Sequence, residues 1–252
     1  ASDIRTINPN TNNCPVLQTK KDKDVTVSLY SEHPILVNDI QDENTWGISY
    51  HRMVDMTNDS NLFSDNTLEN LKSEEFELDR LNRFVNGDDR YYPLLEAKLF
   101  NQYDHRFSTF EGIPEEKKFG RRAGTNKPSA DRKSDVNFES LPRYWMSDSD
   151  FQNILSEIDW NKDWLFAFRN IGGAASNSRT AIGTILPRYP CGNSAPILTF
   201  DGGDLAEKPV LFTTVFTSFV FDFALQQSLG GANFNYYILL LIMINRILHQ
   251  RF

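Results

Sequence analysis

The chain has 252 residues, is 40% hydrophobic and 24% charged, and carries a net charge of −8. With 19 Phe, 9 Tyr and 4 Trp it has enough apolar surface to bury a core, which excludes disorder throughout. Its two lone cysteines, Cys14 and Cys191, exclude a disulfide framework and a paired-cysteine metal site, and are read as reduced thiols in a cytoplasmic setting.

Length alone allows one large domain or two small ones. The polar residues 1–13 do not read as a secretory leader. The apolar run 209–225 is interrupted by Thr213, Thr214, Thr217, Ser218 and Asp222, and the run 237–244 is too short to span a bilayer. The chain is therefore expected to be soluble.

In chain order, residues 3–14 are rich in Asn and Pro and read as irregular. Residues 20–31 fit a short helix with Val25, Leu29 and Tyr30 on one side, ended by Pro34. Residues 46–56 alternate in part like a half-buried strand, and Asn58, Asp59 and Ser60 make a turn. Asp65 or Asn66 is expected to cap a helix through Leu68, Leu71 and Phe76. Gly87 and its two Asp neighbours break the chain again, and the aromatic-rich stretch 91–110 reads as strand.

A long polar loop then covers 111–137. Ser147 or Asp148 caps a helix over Phe151, Ile154, Leu155 and Ile158. Residues 164–171 and 179–186 read as strands on either side of Gly172 and Gly173. Pro209 opens a helix whose Phe212, Val215, Phe216, Phe219, Val220 and Phe223 share one face, with Gly230 and Gly231 as its stop. The pattern predicts an α+β fold, a mixed sheet with flanking helices and long loops, rather than a regular βαβ alternation.

Charge is unevenly placed. Residues 39–89 hold 13 acids and 4 bases, whereas 117–133 hold 7 bases and one acid. The first is expected to be a solvated acidic face that repels phosphate. The second is a candidate anion-binding loop, or else a plain surface loop.

Signatures of catalysis are missing from the sequence. There is no phosphate-binding loop, no GxGxxG, no HExxH and no GxSxG. His33, His51, His105 and His249 lack metal-ligand spacing. The Asn8-Pro9-Asn10 run lacks the aromatic of a methyltransferase base-holding motif.

Four stretches instead carry a resemblance. The first is Asp3-Ile4-Arg5 with Ile7 to Thr11 and Cys14-Pro15-Val16. The second runs from Trp46 through Arg52-Met53 and Asp55-Met56-Thr57-Asn58-Asp59-Ser60 to Phe63. The third, the most specific, is Tyr92-Pro93-Leu94-Leu95-Glu96-Ala97-Lys98-Leu99 followed by Gln102-Tyr103-Asp104-His105-Arg106-Phe107. The fourth joins Trp164, Phe168-Arg169, Ser176 to Thr180, Ile185-Leu186-Pro187, Ser218 to Asp222, Gly230-Gly231 and Asn233. In order and spacing these resemble the C-terminal, target-recognition half of adenine-specific DNA methylases and fused restriction–modification enzymes. After Asn235 the sequence departs from that pattern, which leads to the expectation of a recognition domain truncated at its C-terminus.

The resemblance implies a linker and N-terminal subdomain over 1–90, following a methylase domain outside this chain, and a target recognition domain over 91–252. Its partners would be double-stranded DNA and that methylase domain. S-adenosylmethionine, and Mg where the parent enzyme cleaves, would belong to the parent and not to this chain. Lys117, Lys118, Arg121, Arg122 and Lys127, with Arg132 and Lys133, are the candidate phosphate contacts. Arg106, Arg169, Arg179 and Asn177 are the candidate base readers, with Lys98 and His105 beside them. For Arg106 and Arg169 the competing role is an internal ion pair with Glu96, Asp104 or Asp163. Two other functions stay open: a stand-alone interaction module, such as a remnant of a decayed restriction gene, and a nuclease with an unrecognised acidic site.

Overall fold

The computed structural model describes residues 2–10, 15–44, 46–120, 123–171, 178–201, 207–229 and 234. The chain is α+β, as the sequence pattern predicts. It divides into two compact units. Unit 1 takes residues 1–50, 169–183 and 198–252; unit 2 takes 51–168 and 184–197.

Unit 1 begins with α1 (Ser2–Ile7), where the sequence suggested irregular chain. Tertiary burial explains the difference. Ile7 is buried with Tyr30, Ile35 and Ala224, and α1 packs on α2 (Lys20–Glu32). Thr19 starts α2 through a reciprocal capping box. Its hydroxyl accepts from the Asp22 amide at 3.1 Å, and Asp22 accepts from the Thr19 amide at 2.9 Å. Strand β1 (Ile48–His51) is shorter than the expected 46–56. Trp46, fully buried, instead meets Phe212 edge-on at 5.9 Å. Gly47 has φ of 57°, and a Cβ there would come within 2.6 Å of the Asp201 Cβ, so only glycine fits.

Unit 2 contains β2 (Glu77–Leu78), β3 (Phe84–Asn86), β4 (Asp89–Pro93) and β5 (Trp145–Ser147), paired antiparallel in that order. Gly87, with φ of 58°, makes the two-residue turn between β3 and β4. Before them lies α3 (Leu68–Ser73), capped by Thr67 rather than by Asp65 or Asn66. The Asn66 side chain is already donating to the Leu62 carbonyl at 3.0 Å. Leu71, Phe84 and Trp145 form the core, joined by Phe76 and Tyr91.

The aromatic stretch 91–110 is not one strand. Pairing ends at Pro93, Ala97–Leu99 is a 3-10 turn, and Phe100 and Phe110 fill the interior from irregular chain. Two short helices, α4 (Glu115–Lys118) and α5 (Ala130–Ser134), interrupt the expected loop 111–137. Helix α6 (Asp148–Ile158) is capped by Ser147, one of the two residues expected, and ends at Asp159 with φ of 54°. Strands β6 (Trp164–Phe168) and β7 (Gly183–Pro187) lie side by side.

Back in unit 1, β8 (Ile197–Phe200) lies beside β1, and the expected single helix from Pro209 is two. Helices α7 (Glu207–Phe216) and α8 (Phe219–Ser228) meet at a 66° bend. The Thr217 hydroxyl donates to the Thr213 carbonyl at 2.7 Å, which loosens the last turn of α7. Ser218 then caps a new helix, accepting from the Phe221 amide at 3.1 Å. The bend re-phases the apolar stripe: Phe212, Phe216 and Phe221 are buried, whereas Phe219 is 79% exposed. The glycine stop at Gly230 and Gly231 lies outside the described residues. Among those residues no single helix is long and apolar enough to cross a membrane.

Candidate nucleic-acid interface

The motif that carries the resemblance folds into a charged node in unit 2. The β4 strand delivers Pro93 opposite Trp145. Beyond it, Leu94 donates to the Tyr144 carbonyl at 3.0 Å and Leu95 to Pro190 at 2.8 Å, which fixes Glu96 in the interior. Glu96 is 5% exposed and receives a two-pronged contact from Arg143, at 2.7 and 2.8 Å. Arg143 also lies over the rings of Phe110 and Tyr144. Lys98 donates to the Ala123 carbonyl at 3.0 Å and stands 3.8 Å from Glu96, over Phe110. Burial pulls the Lys98 ammonium below its ordinary value, Glu96 opposing this.

Downstream, the sequence DHRF turns back on itself. Asn101 and Asp104 close a bridge, and Tyr103 takes φ of 57°. Asp104 pairs with Lys133. Arg106 donates to three backbone carbonyls, Phe138 at 2.7 Å, Asp135 at 3.2 Å and Lys133 at 3.2 Å. The three ion pairs proposed for Arg106 or Arg169 thus have other owners: Glu96 goes to Arg143, Asp104 to Lys133, and Asp163 to Arg188 at 3.4 Å. His105 is half-buried, and desolvation holds its imidazole below the ordinary value, with Arg106 adding to the effect.

Four of the basic side chains converge on two rings. Lys127 and Lys133 sit 5.0 and 5.7 Å from the Phe107 centroid, and Arg132 and Arg106 sit 4.9 and 5.9 Å from that of Phe138. Acids are interleaved: Arg132 meets Glu111 at 3.3 Å and Asp135 at 3.8 Å. Lys117 and Lys127 are exposed, and neither has an acid partner among the described residues. Lys118 is different. It is 5% exposed and held by Glu115 at 3.2 Å and Glu69 at 3.6 Å, so its charge serves the fold. Arg121 and Arg122 lie outside the described residues.

The remaining candidates belong to unit 1. Arg169 is half-buried, and burial pulls its guanidinium below the ordinary value. Its amide donates to the Ile182 carbonyl at 2.8 Å. Arg179 stacks over Phe219 at 4.4 Å and donates to the carbonyls of Thr217 and Ser218, at 2.7 and 3.0 Å. Both carbonyls lie at the helix bend, and that of Ser218 also accepts from the Asp222 amide at 3.1 Å. Its Nε stands 3.1 Å from Asp222, whose other oxygen accepts from the Thr180 and Ala181 amides at 2.7 Å each. Two segments of the fourth stretch, around Arg179 and Asp222, are thus tied to each other. Asn177 lies outside the described residues.

The second stretch is also a built turn. Asp55 accepts from the amides of Thr57 and Asn58 at 2.9 and 3.0 Å, and these contacts hold its carboxyl below the usual range. The acidic face 39–89 is mostly exposed, as expected. Buried Cys191 has its thiol pushed up to about 12 by desolvation, which makes it inert. No group of three or more His, Cys, Asp or Glu suited to a metal occurs among the described residues. Sequence reasoning missed Arg143 and Glu139, neither of which lies in a basic run or a matched stretch; long-range pairing with Glu96 reveals Arg143, and its place in the wall of a cleft reveals Glu139.

Comparison with known proteins finds no matching family, no matching curated protein and no matching solved structure.

Proposed function

We propose that this chain is a sequence-recognition module for duplex DNA, working beside a methylase that supplies the chemistry. The carrying observation is the cationic rim of unit 2. Lys117 and Lys127 are exposed and have no acid partner among the described residues, and Arg132 is half-committed, on a frame that the Tyr92–Phe107 motif builds. Arg106 and Arg179 act as positioning residues in this reading, because their guanidinium groups are taken up by backbone carbonyls. S-adenosylmethionine, and Mg where cleavage occurs, belong to the partner, and the setting is cytoplasmic.

The electrostatics give a number to test. Two phosphate contacts from Lys117 and Lys127 predict a log–log salt slope of about −1.8, and about −2.7 when Arg132 exchanges Glu111 for phosphate. The experiment is fluorescence anisotropy of the chain on a duplex oligonucleotide across a salt series beginning at ~50 mM. Replacing both lysines with Gln should flatten the slope by about 1.8. No binding at the lowest salt, or a slope unmoved by the double variant, overturns the proposal. The chain alone with S-adenosylmethionine should transfer no methyl group to DNA.

One observation favours a second reading, a protein-interaction module. Phe219, Val220 and Val210 are 79, 47 and 57% exposed on α7 and α8. Exposed large apolar side chains such as the neighbouring Phe219 and Val220 suit a protein contact. Salt-insensitive, DNA-independent association with a methylase, lost in Phe219→Ser, would favour it.

A further inference from the structure

A cleft of about 180 Å³ opens in unit 2 between the turn at 79–82 and the segment 137–141. Most of its polar wall is already engaged. Asp79 holds the Arg83 guanidinium at 2.7 and 2.9 Å, and its other oxygen accepts from the amides of Leu81 and Arg83. Asn82 donates to the Ser140 carbonyl at 2.8 Å, and Glu111 faces Arg132. Glu139 is the exception. Its carboxylate is half-buried and has no hydrogen bond or ion pair among the described residues. A half-buried carboxylate with no protein partner remains open to a donor brought by a ligand. Arg80, exposed, and Arg132 line the same cleft.

The shape and chemistry restrict what enters. The cleft is smaller than the roughly 300–1,000 Å³ of whole-ligand pockets, so it suits the edge of one base rather than a cofactor. Its unengaged acceptor calls for an N–H donor. In the major groove of duplex DNA the donors are the 4-amino group of cytosine and the 6-amino group of adenine, and Glu pairs with the former. The rim arginines match the flanking phosphates.

Resting on the DNA-recognition reading, we propose that the Glu139 cleft is a base-reading subsite that accepts the exocyclic amino group of one base, cytosine first. Burial pushes the Glu139 carboxyl up while Arg106 pulls it down.

The test is selection of a randomised duplex pool by the full chain at fixed low salt, comparing wild type, Glu139→Gln and Arg80→Gln. Wild type should fix one position as cytosine, or as adenine if the second amine is the one read. Glu139→Gln should relax that position by about tenfold while affinity for bulk DNA is kept. Arg80→Gln should weaken binding to all sequences alike and leave the preference intact. An unchanged preference in Glu139→Gln, or relaxation at a position that reads guanine or thymine, overturns the subsite and leaves DNA binding standing. Failure of the wild type to retain any DNA overturns both readings. If Glu139→Gln folds poorly, Glu139→Asp, which keeps the charge but draws it back, replaces it with the same expected relaxation, and an unchanged preference there overturns the subsite.

Discussion

Arg179 in unit 1 and Arg106 in unit 2 both end on backbone carbonyls, yet they differ in what stands opposite. Arg179 has Asp222 beside it as a counter-ion, and that carboxylate also satisfies two buried amides. The Arg106 guanidinium has three carbonyls and no hydrogen-bonded acid among the described residues, at the foot of a loop crowded with other cations. The first arrangement closes a gap in a helix pair. The second stiffens an irregular loop and leaves its neighbours at the surface. A guanidinium with a buried counter-ion is therefore a fold element, whereas one on carbonyls alone is a scaffold for other charges.

The comparison can be pushed from its strong end. Arg143→Ala strands the buried Glu96 carboxylate and should cost about 3–5 kcal/mol in denaturant unfolding. Adding Glu96→Gln should recover part of that loss; no recovery would show that packing on Phe110 matters more than the charge. Arg179→Ala should cost about 2–3 kcal/mol, because two carbonyls and Asp222 lose a charged partner together. Arg106→Ala should cost less, about 1–2 kcal/mol, since its carbonyls are nearer to water. If Arg106 proves the more expensive of the two, the contrast drawn above is wrong. Ser218→Ala removes only the α8 cap and should cost about 1 kcal/mol.

The smallest effect is a pH dependence. Burial raises the Glu139 carboxyl above its ordinary 4.5. The native state therefore binds this proton more tightly than the unfolded chain does. Stability from this group increases as pH falls through the raised value and is lost as pH rises past it. Glu139→Gln should flatten that limb between neutral pH and the ordinary carboxylate range, measured as thermal midpoints at fixed ionic strength. A steeper limb in the variant would contradict the assignment.

How far the sequence was legible depended on how local the signal was. Helices α2 and α6 follow from short-range capping and apolar spacing, and both appear where expected. The stretch 91–110 misled because its aromatics resemble a strand, although Phe100 and Phe110 are buried from loops that Glu96 and Asp104 organise. The α7–α8 pair misled because Thr217 and Ser218 look like tolerable polar residues in a helix. Their side chains instead bond locally and break it. For the candidate interface, sequence found the cations but not their partners. Lys118 looks like its exposed neighbour Lys117, and only the fold brings Glu69 to it.

The Asp222 carboxylate reaches amides 41 and 42 positions earlier in the chain. Closing a loop of ~40 residues carries a length-dependent cost of about 3 kcal/mol before any contact repays it. During synthesis, the Thr180–Ala181 turn waits until α8 has left the ribosome. Its two amides are thus among the last in unit 1 to gain protection from hydrogen exchange, and the timing of their protection is a clock for completion of that unit.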